Sequence, residues 1–300
     1  MSVTDRAFEI TEETSGQFRN EPPTDFSRQE SRRAFKGALE EVQNQMPFHV
    51  PMVIDGERLE TKEGIDSLNP SSFSEVVGTS ASATAADVDR AVAAARRAFA
   101  DWSRTSAEER AAILRGAAKT MRERRDFFAA VMVYEAGKPW READADIEEA
   151  IDFLEYYSRE AIRLSGEHRL QPYLLGEHND LVYHPLGVVG VIGPWNFPCA
   201  IVTGMSSASL AAGNTVVLKP AEQTPVIAKL YVQALESAGL PSGVINFLPG
   251  RGEVAGQRLV EHPDVNMIVF TGSREVGLHI VREASVVREG QSFVKRTVTE

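Results

Sequence analysis

Between Val188 and Phe270 four short apolar runs, Val188 to Ile192, Thr215 to Leu218, Val244 to Leu248 and Met267 to Phe270, alternate with stretches of helical pattern. A strand that is apolar at consecutive positions must be covered on both faces, and helices crossing from one parallel strand to the next provide that cover. The alternation therefore predicts an α/β fold on a Rossmann-like, doubly wound parallel sheet. Ligands of such sheets bind outside the carboxyl ends of the strands, in the crevice where strand order reverses. The turns after these runs are thus the first place to look for chemistry.

Upstream, the pattern is helical. Val88, Val92, Ala95 and Phe99 recur every three to four residues behind Thr84 and Asp87, a capping-box pair. Ser106 and Glu109 repeat that start before Ile113, Leu114, Ala117 and Met121; Phe127, Phe128, Val131 and Met132 mark a third helix, and a long fourth is expected from about Arg141 to Leu164. Met52 to Arg58, with Asp55-Gly56 at its centre, reads as a hairpin. Gly166 to Leu186 breaks the helical pattern and, with β-prone Leu181-Val182-Tyr183, reads as a second, protruding hairpin. Residues 1–45 are polar and contain Pro22-Pro23, so they read as an extension whose first part is loosely ordered and in which Phe35, Leu39 and Val42 could line one short helix. Thr224-Pro225 supplies a cap and a first-turn proline for a helix inside the sheet region.

Composition narrows the partners. With 43% hydrophobic and 25% charged residues the 300-residue chain can bury one large core or two, and its net charge of -11 argues against general affinity for nucleic acid or anionic membrane. A small molecule is the expected partner, and no metal site is expected. No run approaches the roughly 18 apolar residues of a membrane span, and the acidic N-terminus has the wrong sign for an import helix. The single cysteine, Cys199, excludes an internal disulfide and suits a reducing compartment, so a cytoplasmic location is expected.

Three segments could carry chemistry. In Gly193-Pro194-Trp195-Asn196-Phe197-Pro198 the Asn196 amide could donate to a developing alkoxide, or it could be an ordinary turn amide. In Lys219-Pro220-Ala221-Glu222 the two charged groups could hold ribose hydroxyls, with the carboxylate repelling a 2′-phosphate, or form a surface ion pair. Phe270-Thr271-Gly272-Ser273 opens a helix whose N-terminus could receive a phosphate, or is a tight turn with a serine cap. Cys199 at a helix start is either a small buried hydrophobe or a thiol activated by the helix.

In this order, each after an expected strand, the three segments resemble the aldehyde dehydrogenase superfamily over roughly Met52 to Glu300. Within it, Trp140 to Asp146 leading into Ile151-Asp152-Phe153, the connector Arg282 to Arg296 and the acidic N-terminal extension are similar to the 1-pyrroline-5-carboxylate dehydrogenase branch, which oxidises glutamate γ-semialdehyde to glutamate in proline degradation. The resemblance implies NAD as cofactor and an aldehyde as substrate. It implies cofactor contacts from Pro194, Trp195, Lys219, Pro220, Glu222, Gly252, Gly272, Ser273 and Val276, with Pro249 to Gly252 lining the adenine region. Asn196 becomes the oxyanion donor and Glu300 the glutamate that activates water. Glu149 and Phe197 fall on the substrate, Glu149 near its amino group, although a solvated helix face is the plain alternative for Glu149. It further implies an NAD-binding domain from residues 46–165 and 187–300, a hairpin at 166–186 that pairs with another subunit in a homo-oligomer, and a C-terminal catalytic domain, absent here, that carries the attacking cysteine beyond Glu300. A nucleotide-binding or interaction fragment without turnover, an aldehyde dehydrogenase of other specificity, and an acylating relative remain open.

Overall fold

The computed structural model describes residues 18–166, 168–170 and 174–300, and in it the four apolar runs pair as neighbouring parallel strands. In chain order the elements are α1 (Gln29–Gln45), β1 (Phe48–Val50), β2 (Met52–Ile54), β3 (Glu57–Leu59), β4 (Gly64–Asn69), β5 (Ser72–Ala81), α2 (Ala85–Trp102), α3 (Ala107–Glu123), α4 (Arg125–Ala136) and α5 (Trp140–Ser165). There follow β6 (His168–Leu170), β7 (Asn179–Leu181), β8 (Val188–Ile192), α6 (Ala200–Ala211), β9 (Thr215–Lys219), α7 (Pro225–Ser237), β10 (Ile245–Phe247), a π-helical turn (Gly252–Gly256) running into α8 (Gln257–Glu261), β11 (Met267–Phe270), α9 (Arg274–Ala284) and β12 (Arg296–Thr299).

The principal sheet has seven strands in the order β12-β11-β8-β9-β10-β2-β3. Its first five are parallel, as expected, and successive residues of each face opposite sides. Val189, Val191, Val216 and Leu218 enter the core shared with α3, α4, α5, α6 and α7, whereas Val188, Ile192, Val217, Ile268 and Phe270 enter the one shared with α2, α8 and α9. Covered faces on both sides are the physical reason for the uninterrupted apolar runs. From β8 the chain moves through β9 to β10 on one side and then crosses to β11 and β12 on the other. Strand order therefore reverses at β8.

Both expected capping boxes form: Thr84 and Ser106 accept from the N–H groups of Asp87 and Glu109, whose carboxylates accept in return. The hairpin at Met52 is β2–β3, and it is more than a surface turn, because Val53 pairs antiparallel with Phe247 and extends the sheet past its parallel part. A smaller sheet, β1-β5-β4, has no counterpart in the sequence reading. Its longest strand, Ser72–Ala81, begins with the exposed residues Ser72, Phe73 and Ser74, which hide the alternation. Of the second hairpin, 167 and 171–173 lie outside the described residues; β6 and β7 pair antiparallel, and the strand ends at Leu181 instead of covering Leu181 to Tyr183.

Two expectations need correction. Thr224 precedes Pro225 at the start of α7, but its side chain makes no capping bond. The N–H groups of Val226 and Ile227 donate instead to the carboxyl of Glu135 from α4, at 2.7 and 2.9 Å, because a buried carboxyl oxygen occupies the place a cap would take. The second concerns the N-terminal extension, whose residues 1–17 lie outside the described part. From residue 18 the chain is docked rather than loose, while the expected helix forms as α1, with Phe35 and Val42 fully buried and the Phe35 ring 4.8 Å from that of Trp140. Thr24 donates through its backbone and its hydroxyl to Asp144, which also carries a two-pronged ion pair from Arg125 at 2.6 and 2.8 Å.

One glycine sets the entry into the central strand. Gly187 has φ +134°, and a Cβ there would sit 2.2 Å from Oδ1 of Asn266, which accepts from Val188 N at 2.9 Å. Gly187→Ala is expected to cost about 1–3 kcal/mol in backbone strain alone, read as a lower Tm in thermal denaturation. An unchanged Tm would show that the loop relaxes freely.

Candidate active site at the carboxyl edge of the sheet

The parallel strands β8, β9, β11 and β12 end level with one another, with Ile192 paired to both Lys219 and Phe270 and Phe270 paired to Thr299. That register brings the expected site segments to one edge. Across it lie, in order, Glu300 after β12, Gly272 and Ser273 after β11, Pro194 to Phe197 after β8, Lys219 to Glu222 at the end of β9, and Gly252 in the turn after β10. The reversal at β8 puts the Asn196 turn beside the Gly272 turn at the crevice where open α/β sheets bind their ligands.

Backbone bonds tie the segments together. Gly193 N donates to Lys219 O at 3.1 Å, and Gly272 N donates to the Glu300 carbonyl at 3.0 Å. Gly252 N donates to Glu222 Oε1 at 2.7 Å, so the turn after β10 is hung on the one at the end of β9. Lys219 is 5% exposed; its ammonium donates to Pro220 O at 3.0 Å and lies 3.9 Å from Glu222 Oε1. Burial pushes this amine below the usual lysine range, with Glu222 and then Glu253 opposing the shift. An ammonium has three protons to donate, and a buried one held by a single carbonyl with a carboxylate just beyond hydrogen-bond range fits the hydroxyls of a ribose. Ser273 caps α9 with a long 3.4 Å bond from Val276 N, while Ser273, Arg274 and Val276 stay exposed. An open N-terminus on an 11-residue helix suits a phosphate. The residues present therefore fit a dinucleotide.

Trp195 and Asn196 are exposed, whereas Pro194 before them and Pro198 after them are buried. Asn196 Oδ1 accepts from Phe197 N at 3.1 Å, which orients the amide and leaves its NH2 group to donate. Glu149 is exposed on α5, and burial of its surroundings followed by the charge of Asp146 raises its carboxyl above the usual range, with Lys138 opposing. Lys138 also holds the carbonyl of Asn196 and the ring of Phe197, so Glu149 belongs to the same neighbourhood. Cys199 is wholly buried, and burial with the nearby charge of Asp146 raises its thiol well above the usual range. Activation by the helix start is overridden there.

Lys138 and Asp146 were not singled out from the sequence as site residues. The available signal was position: Asp146 lies among Ala143, Ile147 and Ala150, the apolar stripe of α5, and a carboxylate buried in such a stripe needs a partner.

The chain belongs to the aldehyde dehydrogenase family, whose sequence profile matches residues 58–300. It is 50% identical over 283 residues to a 1-pyrroline-5-carboxylate dehydrogenase of Bacillus pumilus, covering 94% of this chain and 55% of that protein. Its structure is similar to that of the Thermus 1-pyrroline-5-carboxylate dehydrogenase with bound NAD, at TM-score 0.92 and 47% identity over 95% of this chain and 55% of that one. It is also similar to proline utilization A from Bdellovibrio bacteriovorus, at TM-score 0.92 and 44% identity over 95% of this chain and 30% of that one. The chain thus spans about half the length of the curated relatives it matches. Among the described residues no helix is long and apolar enough to cross a membrane.

Proposed function

We propose that residues 46–165 and 187–300 form the NAD-binding half of a cytoplasmic enzyme that oxidises L-glutamate γ-semialdehyde to glutamate in proline degradation. The observation that carries this reading is the linked set Lys219, Glu222 and Gly252 beside the Asn196 turn, at the point where strand order reverses. Relatives that share about half of these residues are named 1-pyrroline-5-carboxylate dehydrogenase, which supports the reading. Lys219 and Glu222 hold the adenosine ribose, and Glu222 disfavours a 2′-phosphate and so NADP. Gly272 and Ser273 receive the pyrophosphate at the start of α9; Pro194, Trp195, Pro220, Gly252 and Val276 complete the walls. NAD, when bound, accepts the hydride lost from the aldehyde carbon. Asn196 donates to the oxygen as it gains charge, Glu300 takes a proton from the water that becomes part of the acid, and Glu149 and Phe197 orient the substrate, Glu149 by its charge on the substrate's ammonium. The attack itself falls to a cysteine in the other half of the family fold. The hairpin of residues 166–186, with Leu174, Leu175 and Val182 exposed, pairs with a second copy.

Residues 1–300 alone bind NAD without turnover, because their one cysteine is buried with a raised pKa. Calorimetric titration of 1–300 tests the cofactor site: NAD is expected to bind more tightly than NADP, and Lys219→Met to weaken NAD by about 10–100-fold, the worth of a charged hydrogen bond. Equal affinity of wild type and a folded Lys219→Met chain would remove Lys219 from the site. Sustained NADH production by 1–300 would overturn the expectation that these residues alone carry out no turnover.

A further inference from the structure

Lys138 lies one residue past Gly137, the left-handed glycine (φ +66°) that ends α4, and its ammonium is used in three directions. It donates to Asp146 Oδ2 at 2.7 Å and to the carbonyl of Asn196 at 2.9 Å, and it sits 3.8 Å from the centroid of the Phe197 ring. The lysine side chain is 9% exposed and that of Asp146 is 0% exposed. The other carboxylate oxygen, Oδ1, accepts from Ala200 N at 2.6 Å. The two side chains therefore grip both ends of one short loop, the Asn196 carbonyl on one side of Pro198 and the first amide of α6 on the other.

We propose that Lys138 and Asp146 are a positioning pair that fixes the turn carrying Asn196. A buried ion pair is weak evidence for stability, since burial strips both charges of water and apolar replacements are often as stable. What such a pair supplies is direction. The cation fixes where the Asn196 carbonyl and the Phe197 ring lie, while the carboxylate fixes where α6 begins. With Oδ1 of Asn196 already engaged by Phe197 N, the amide has one orientation in which to present its NH2 group. An oxyanion donor works by being in place before charge develops, so holding it from beneath is a catalytic requirement even for groups that never touch substrate. This inference rests on the proposed role of Asn196 only for its catalytic consequence.

Hydrogen exchange read by mass spectrometry on the 1–300 chain tests it. Lys138→Met is expected to speed amide exchange in residues 195–201 by about tenfold or more, with the α7 segment (Pro225–Ser237) unchanged. Lys138→Arg, which keeps the charge and can reach both acceptors, is expected to restore slow exchange. In the complete enzyme Lys138→Met is expected to lower kcat by about tenfold and to leave KM for NAD within about twofold, with Lys138→Arg recovering most of kcat. Wild-type exchange at 195–201 in Lys138→Met, or an increase spread equally over α7, would overturn the proposal. Should Lys138→Met not fold, Asp146→Asn reads the same segment: faster exchange at Ala200 supports the pair and wild-type exchange overturns it. Failure of the wild-type chain to bind NAD would remove the functional reading and leave the exchange result standing.

Discussion

Replacing Asn196 with alanine in the complete enzyme is expected to lower kcat about 10²–10³-fold, close to 3–4 kcal/mol of transition-state stabilisation, with little change in KM for NAD. The size follows from placement. Asn196 is exposed at the carboxyl end of β8, its carbonyl oxygen of the side chain is taken by Phe197 N, and its main-chain carbonyl is held by Lys138. Its NH2 group is thus a donor fixed in advance, and the cost of reorienting a loose amide or water falls on the alanine variant alone. Asn196→Asp is expected to be at least as damaging, because it sets a negative charge beside a developing one. Steady-state kinetics with NAD varied at saturating aldehyde separates the effects. A tenfold rise in KM for NAD with unchanged kcat would assign Asn196 to cofactor binding instead.

Glu135→Ala is expected to be the most destabilising single change in the sheet-covering helices. Glu135 is 2% exposed, and its carboxyl accepts from the first two free N–H groups of α7. Truncation leaves both buried and unpaired, at about 1–3 kcal/mol each, against a total stability of about 5–15 kcal/mol for a typical domain. Urea denaturation should show a much lower midpoint, with Glu135→Gln, which keeps an acceptor, falling between the alanine variant and wild type. Burial pushes this carboxyl up to about 8 from an ordinary 4.5, against the hydrogen bonds from Ile227, Val226 and Ser67 that lower it. The folded chain then binds the carboxyl's proton more tightly than the unfolded chain. Stability from this group is full below pH 4.5, falls as pH rises towards about 8, and is lost above it. Denaturation midpoints measured from pH 5 to 9 should slope downward in the wild type more than in Glu135→Gln, and parallel profiles would show that Glu135 titrates normally.

Where the fold depends on neighbours in the chain, the sequence was readable. Thr84 with Asp87 and Ser106 with Glu109 each bond within four residues, so the residue types suffice to mark the helix starts. The same holds for the runs at β8, β9, β10 and β11, whose composition reports burial on both faces. Thr224 lies where neighbours in the chain no longer decide the structure. It has the residue type of a cap and the proline that should follow, yet a carboxyl from 89 residues upstream does the work (224 − 135).

By itself the sequence determined the parallel sheet, its covering helices, and the kinds of residue that stand at the strand ends, since periodicity and capping are local and burial writes itself into composition. Only the tertiary structure decided that β2 and β3 extend this sheet, that strand order reverses at β8, and that Lys138, Asp146 and Glu135 each serve a segment far from their own. Those facts rest on pairings between distant segments, and a buried charge acquires its meaning from the partner that folding brings to it. Asn196 shows the division plainly: its residue type and its turn are written in the chain, whereas the cation that holds the turn comes from 58 residues away.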